Sequence, residues 1–203
     1  MQNPNSQENN SILETGRNVI DLEAKALTKL SAEFPINFPE AISLLFNCEG
    51  HIIISGVGKS GHIGKKISST LSSTGSPSIF LHPAEASHGD LGLIKQSDIL
   101  LIISHSGETV ELANILSYAQ KLSIKIVSVT AEPKSTLAKK ANLVLNLPHV
   151  PEACPNGLAP TTSTTLVLAL GDAIAVSLMK KRNFSQKDFS MFHPGGKLGA
   201  KLR

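Results

Sequence analysis

At 203 residues, 41% of them hydrophobic and 17% charged, the chain falls in the size range of one domain and can bury a core without disulfide or metal staples. The net charge is +3, from 19 Lys and Arg against 16 Asp and Glu, with no Trp and one Tyr. The basic residues form only short pairs, so neither a nucleic-acid groove nor an aromatic stacking platform is expected, whereas a small anionic ligand suits the charge. Two cysteines, Cys48 and Cys154, make neither a disulfide framework nor a four-cysteine zinc site. No apolar run reaches the roughly 18 residues of a transmembrane helix, and the polar amino terminus lacks the apolar stretch of a secretory signal. A soluble, cytoplasmic domain with no nucleic-acid or membrane partner is the expectation.

Residues 1–10, rich in Asn, Gln and Ser, predict a disordered tail, and 11–203 the folded domain. From 11 to 34, Ile12, Leu13, Val19, Ile20, Leu22, Ala26, Leu27 and Leu30 recur at helical spacing before Pro35 and Pro39 punctuate the chain. A short helix is predicted over 38–47. Five β-branched, nearly continuous apolar runs follow, at 51–55, 78–81, 98–104, 124–130 and 142–147, as expected of strands buried on both faces. Helical patterns at 60–73, 109–121, 134–140 and 161–182 alternate with them. The fold class is therefore α/β, a three-layer αβα sandwich around a five-stranded parallel sheet, flavodoxin-like, built from right-handed βαβ units. Sheets of this kind bind ligands outside the carboxyl ends of their strands.

The loops at those ends carry the polar motifs. Gly56-Val57-Gly58-Lys59-Ser60-Gly61 has the spacing of a dinucleotide fingerprint, but its acidic partner is missing, since Glu85 lies too far on and follows a proline; it is also not a Walker A loop. Ser104-His105-Ser106-Gly107-Glu108-Thr109 places three hydroxyls and several backbone N–H groups at a helix start, which reads as a phosphate cradle more readily than as a single capping residue. Thr161-Thr162-Ser163-Thr164-Thr165 opens the longest helix with five hydroxyls of poor helix propensity, which fits a ligand-facing turn or capping with inward Thr packing. His82 and His88, six apart, suit a polar substrate pocket better than any recognised metal spacing. Glu111 and Glu152 are candidate acid–base groups: the former also fits a helix-dipole charge, and the latter sits in a Pro-rich loop with no evident capping duty.

Taken together, GVGKSG at 56–61, HPAEASHGDLG at 82–92, EACPNGLAPTTSTT at 152–165, GDA at 171–173 and HPGGKLGAKL at 193–202 resemble the sugar isomerase (SIS) domain, in its arabinose-5-phosphate isomerase branch, from about Leu22 to Leu202. The resemblance implies interconversion of D-ribulose 5-phosphate and D-arabinose 5-phosphate, supplying 3-deoxy-D-manno-octulosonate for lipopolysaccharide synthesis. It carries catalytic roles onto Lys59, Glu111, Glu152 and His193. Substrate contacts carry over to Gly56, Ser60, Gly75, Ser76, His82, His88, Ser104, Ser106, Thr109, Thr161, Thr162, Ser163 and Thr164. A divalent metal contact falls on His82, with zinc adventitious or inhibitory and no cofactor required. The family's paired CBS domains would begin where this chain stops, so a chain lacking them is expected.

Aldose–ketose isomerisation moves protons between two carbons and between their oxygens through a cis-enediol. Glu152 is expected to act as carbon base, with its pKa raised by a water-poor pocket. His193 is expected to shuttle protons at oxygen or assist ring opening, Lys59 to stabilise the enediolate, and Glu111 to orient Lys59 or share the base role. The family builds sites between subunits, which implies a homo-oligomer, a tetramer, with His193 donated by a neighbour. The competing readings are an isomerase of another phosphosugar, a non-catalytic phosphosugar-binding module, and a nucleotide-binding protein.

Overall fold

The computed structural model describes residues 4–195. In chain order its elements are α1 (Pro4–Ala32), α2 (Phe38–Phe46), β1 (Ile52–Ser55), α3 (Gly58–Ser73), β2 (Ser78–Phe80), α4 (Pro83–Ser87), β3 (Ile99–Ile103), α5 (Ala113–Lys121), β4 (Lys125–Thr130), α6 (Thr136–Lys140), β5 (Leu143–Asn146), α7 (Thr162–Lys181) and α8 (Gln186–Phe192). Single 3-10 turns cover Asp90–Leu93 and Val110–Leu112.

The five strands pair in parallel throughout, in the order β2-β1-β3-β4-β5. Ile54 sits opposite Phe80 on one side and Leu101 on the other, which fixes the register at the centre. The chain leaves β1 in one direction to form β2 and in the other to reach β3, so the topological switch lies between β1 and β3, where ligands of such sheets bind. Alternation along the strands divides the core. Ile52, Ile54, Leu101, Ile103, Val127 and Leu145 pack against Leu45, Ile67, Leu166, Leu170 and Ile174 of α2, α3 and α7. Ile53, Leu100, Ile102 and Ile126 face the other way, onto Leu112, Ile115, Leu116 and Leu137. These are the two helical layers expected from the sequence.

Several expectations are corrected. Helix α1 starts at Pro4, so residues 4–10 form helical turns rather than a disordered tail; proline lacks the N–H that a first helical residue leaves unpaired, and it starts a helix readily. The polar composition does register as exposure: residues 8–18 are exposed throughout, and burial begins with Ala26 and Leu30. The helix expected to open at 109 begins instead as the 3-10 turn, and α5 starts at Ala113. The short helices α4 and α8 lie in stretches with no clear period. Among the described residues one helix, α7, of 20 residues and mean hydropathy 1.5, meets the length and composition of a membrane span, and half of that window is buried inside the domain, as in a core helix. It packs on α1, α2 and α3. At Gly171 the approach of α3 leaves no room for a side chain, because a Cβ there would lie 2.3 Å from Ile67.

Candidate active site

Loops after β1, β3 and β5 converge at the carboxyl edge of the sheet. Ser55 and Asn146, which end β1 and β5, hold the two buried side-chain polar atoms, Oγ and Oδ1, that lack a hydrogen-bond partner among the described residues. At the same edge lies a cavity of 470 Å³ lined by the polar side chains Ser60, His105, Glu152, Ser163 and Thr164, with Val150, Pro151, Leu158, Pro160 and Val167 as its apolar wall. Four of these polar residues are sequence-derived candidates. His105 lies inside the expected phosphate loop, but no sequence signal gives it a role of its own.

The loop after β3 is held in one shape by its own hydroxyls. Ser104 and Thr109 share a hydrogen bond of 2.7 Å, and the Gly107 N–H donates to Ser104 Oγ at 3.0 Å. Ser106 Oγ accepts from the Glu108 N–H. Gly107 has a φ of 65°, and a Cβ there would lie 2.0 Å from Ser135 Oγ, so only glycine fits the bend. The Glu108 carboxylate accepts from the Thr136 N–H at the start of α6, and this bond holds its pKa below the ordinary value. Thus Ser104 and Thr109 close the loop on itself, while His105, exposed between Ser104 and Ser106, faces the cavity.

Glu152 departs most from expectation. Its Oε2 accepts from Thr161 N at 2.7 Å, Thr161 Oγ1 at 3.1 Å and Ser163 N at 3.2 Å, and Oε1 takes none of the three. The carboxylate therefore caps the amino end of α7. Partial burial pushes its pKa up, but the Ser163 side chain and the Thr161 and Ser163 N–H groups outweigh that effect, so the net shift is downward and not upward as expected. The hydroxyl run is used locally. Thr161 and Thr162 Oγ1 accept from Ala153 N, and Thr164 and Thr165 donate back to the Thr161 carbonyl. Thr161, Thr162 and Ser163 shape the loop that carries Glu152, and Ser163 and Thr164 also line the cavity. The same loop curls around Cys154, whose thiol is lowered by the backbone N–H groups of Ala159, Leu158 and Asn156.

The remaining candidates divide between the two ends of the sheet. Gly56 is buried in the turn between β1 and α3, and Lys59 is exposed in the first turn of α3. Glu111 is exposed in the 3-10 turn. Neither Lys59 nor Glu111 lines the cavity. His82 caps α4, its Nδ1 accepting from Ala84 N at 3.2 Å, and His88 is exposed at the end of that helix. Gly75 and Ser76, by contrast, precede β2 and so lie at the amino edge of the sheet. Ser76 is fully buried, its Oγ accepting from Arg182 Nε, and the ring of Phe184 lies against Gly75. His193 belongs to that end as well. It stacks on Phe189 at 3.9 Å, its Nδ1 lies 2.9 Å from the Phe189 carbonyl, and α8 is tied back by the Phe184–Phe192 ring pair. Helix α7 separates this end from Glu152, and its 20 residues span about 30 Å. Gly75, Ser76 and His193 are thus not brought to the cavity of their own chain. The end of the C-terminal motif, 196–202, lies outside the described residues.

The donor set does not fit a resident metal. No group of three His, Cys, Asp or Glu side chains that could hold an ion occurs among the described residues, and His82 has only Nε2 to offer, because Nδ1 is engaged.

The model of the SIS domain matches residues 45–177, which reach from α2 into α7 and enclose the cavity. Arabinose 5-phosphate isomerase KpsF of Escherichia coli O6:H1 strain CFT073 is 48% identical over 187 residues, 92% of this chain and 57% of that protein. Arabinose 5-phosphate isomerase KdsD of Pseudomonas aeruginosa is 46% identical over 198 residues, 98% of this chain and 61% of that protein. The chain thus spans about three-fifths of the length of these curated relatives. Among solved structures, the c3406 protein of Escherichia coli CFT073 in complex with arabinose 5-phosphate superposes with a TM-score of 0.89 at 37% identity, covering 92% of this chain and 99% of that one. With a family model over all five strands of its sheet, its loop motifs in order and a near-complete superposition, the chain belongs to the SIS-domain family.

Proposed function

We propose that this chain is a cytoplasmic isomerase domain that interconverts D-ribulose 5-phosphate and D-arabinose 5-phosphate through a cis-enediol, supplying 3-deoxy-D-manno-octulosonate for lipopolysaccharide synthesis. The observation that carries the reading is the Glu152 carboxylate held at a 470 Å³ cavity beside the loop after β3, in a chain 46–48% identical to proteins named for this reaction. In this reading Oε2 anchors the carboxylate to α7 and Oε1 moves the proton between C1 and C2. A side chain immobilised in this way needs no reorientation before proton transfer. The loop after β3 fixes the phosphate and thereby sets the carbons against Glu152.

Lys59, Glu111 and His193 stand outside the cavity lining, so their parts belong to an assembled site. Lys59 stabilises the enediolate, Glu111 orients Lys59 or shares the base role, and His193 arrives from a neighbouring subunit of a homo-oligomer, a tetramer. Two features support assembly: His193 lies a helix-length from its own cavity, and α1 exposes Ile12 and Ile20, which are 62% and 65% accessible. Catalysis requires no metal, and any zinc at His82 is adventitious or inhibitory. The test is NMR-monitored conversion of ribulose 5-phosphate in deuterated water with chelator present. Arabinose 5-phosphate carrying deuterium at C2 supports the enediol isomerase. Thermal stabilisation by the sugar phosphate without conversion would replace the reading with a binding module.

A further inference from the structure

Glu152 is carried into the cavity by the arm Pro148-His149-Val150-Pro151, which runs between two fixed points. Upstream, the Leu147 N–H donates to the Thr130 carbonyl at 2.8 Å. Downstream, the Ala153 N–H donates to Thr161 Oγ1 at 2.9 Å, and the Glu152 carboxylate is held by α7. Both prolines lack an N–H, and their fixed φ makes the arm stiff, so a displacement at His149 is carried on to Glu152. Among the described residues the arm's backbone takes part in one hydrogen bond: Lys29 Nζ on α1 donates to the His149 carbonyl at 3.0 Å.

That bond stands where packing is thin. Val150 and Pro151 line the 470 Å³ cavity on one side, and on the other they border a second cavity of 260 Å³ that Leu22, Lys25, Ala26 and Lys29 close from α1. Val150 touches the edge of the core, but Pro151 is exposed. A wall open on both sides can shift without displacing closely packed side chains. The His149 imidazole adds little restraint, because its 3.6 Å approach to Glu132 joins two side chains that are 65% and 52% accessible. Lys29, in contrast, projects from a turn of α1 anchored by buried Ala26 and Leu30, and a hydrogen bond from a charged donor is stronger than a neutral one. We infer that Lys29 is a positioning residue, which ties the arm to α1 and so holds Glu152 at the distance from the substrate carbons that proton transfer needs. The inference rests on the isomerase reading, in which Glu152 is the carbon base; the tether itself does not.

Variants of the full chain test it. Lys29→Met keeps the apolar stem and removes the donor, Lys29→Arg keeps a donor, and Glu33→Gln removes only the 3.9 Å ion pair that Lys29 also makes along α1. The Lys29 side chain is 44% accessible, so urea midpoints should stay at the wild-type value. With ribulose 5-phosphate, Lys29→Met should lower kcat about tenfold with KM within about threefold, because the substrate still binds but meets a misplaced base. Lys29→Arg should recover kcat to within about threefold of wild type, and Glu33→Gln should match wild type. An unchanged kcat in Lys29→Met would overturn the inference, as would a rise in KM alone, which would make the arm a binding wall and no more. A loss as deep in Lys29→Arg or in Glu33→Gln would also overturn it, since the donor to the arm would then not be what matters. If wild type converts no ribulose 5-phosphate, the isomerase reading fails by itself and hydrogen exchange decides the tether. Lys29→Met should then exchange the Leu147 and Ala153 amides faster than wild type, with Lys29→Arg unchanged, and equal exchange in all of them refutes it.

Discussion

Glu152 lines the cavity while one of its oxygens caps a helix, and this cap sets how it should respond to acid. Its pKa is lowered, so the native state holds the carboxylate more tightly than the unfolded chain does. Its contribution to stability is present above the ordinary glutamate value and is lost as pH falls through the depressed one. The acid limb of kcat/KM should therefore lie below the ordinary value of 4.5; a limb near neutrality would assign the carbon base elsewhere. Glu152→Gln should lose about 10²- to 10⁴-fold in turnover while ribulose 5-phosphate still raises its melting temperature. The cysteines should separate in the same way. Burial pushes the Cys48 thiol up, whereas backbone N–H groups pull Cys154 down, so Cys154 should be the first to react with iodoacetamide near neutral pH, as peptide mass mapping would record. The residue type and loop of Glu152 were legible in the sequence, but its capping role was not. That role depends on Thr161 and Ser163 folding back nine and eleven positions later, a contact with no periodic signature.

At the scale of elements, strand runs and long helices were legible because burial on two faces and a 3.6-residue period both write themselves into composition. Helices α4 and α8, of five and seven residues, are too short to establish a period. Each is specified by its cap instead: His82 accepts from Ala84 N, and Ser185 and Asp188 form a reciprocal capping box. The α3–α7 contact is equally particular. Gly171 lies where a Cβ would press 2.3 Å from Ile67, so Gly171→Ala should destabilise the domain by about 1–3 kcal/mol, measured as a lower urea midpoint with unchanged slope. The Gly-Asp-Ala motif at 171–173 therefore has at least one member retained for packing and not for chemistry.

For the whole molecule, topology explains what linear reading left mixed. A parallel sheet has two chemically distinct edges, and neighbours in sequence can fall on opposite ones: Ser60, Glu152 and Ser163 reach the carboxyl edge, while Gly75, Ser76 and His193 remain at the amino edge. Helix α1 extends past the domain with Ile12, Leu13 and Ile20 exposed. If the proposed oligomer assembles through this face, a charge placed there, as in Ile12→Glu with Ile20→Glu, should lower the sedimentation coefficient while leaving the stability of the subunit within about 0.5 kcal/mol. The separation of His193 from Glu152 by the length of α7 also has a genetic consequence. If each site draws on two polypeptides, a Glu152→Gln chain and a His193→Gln chain, both inactive alone, should regain activity when unfolded together and refolded as a mixture, because hybrids then contain pockets in which both residues are intact. Alleles damaged at opposite edges of the sheet would complement one another, and alleles damaged at the same edge would not.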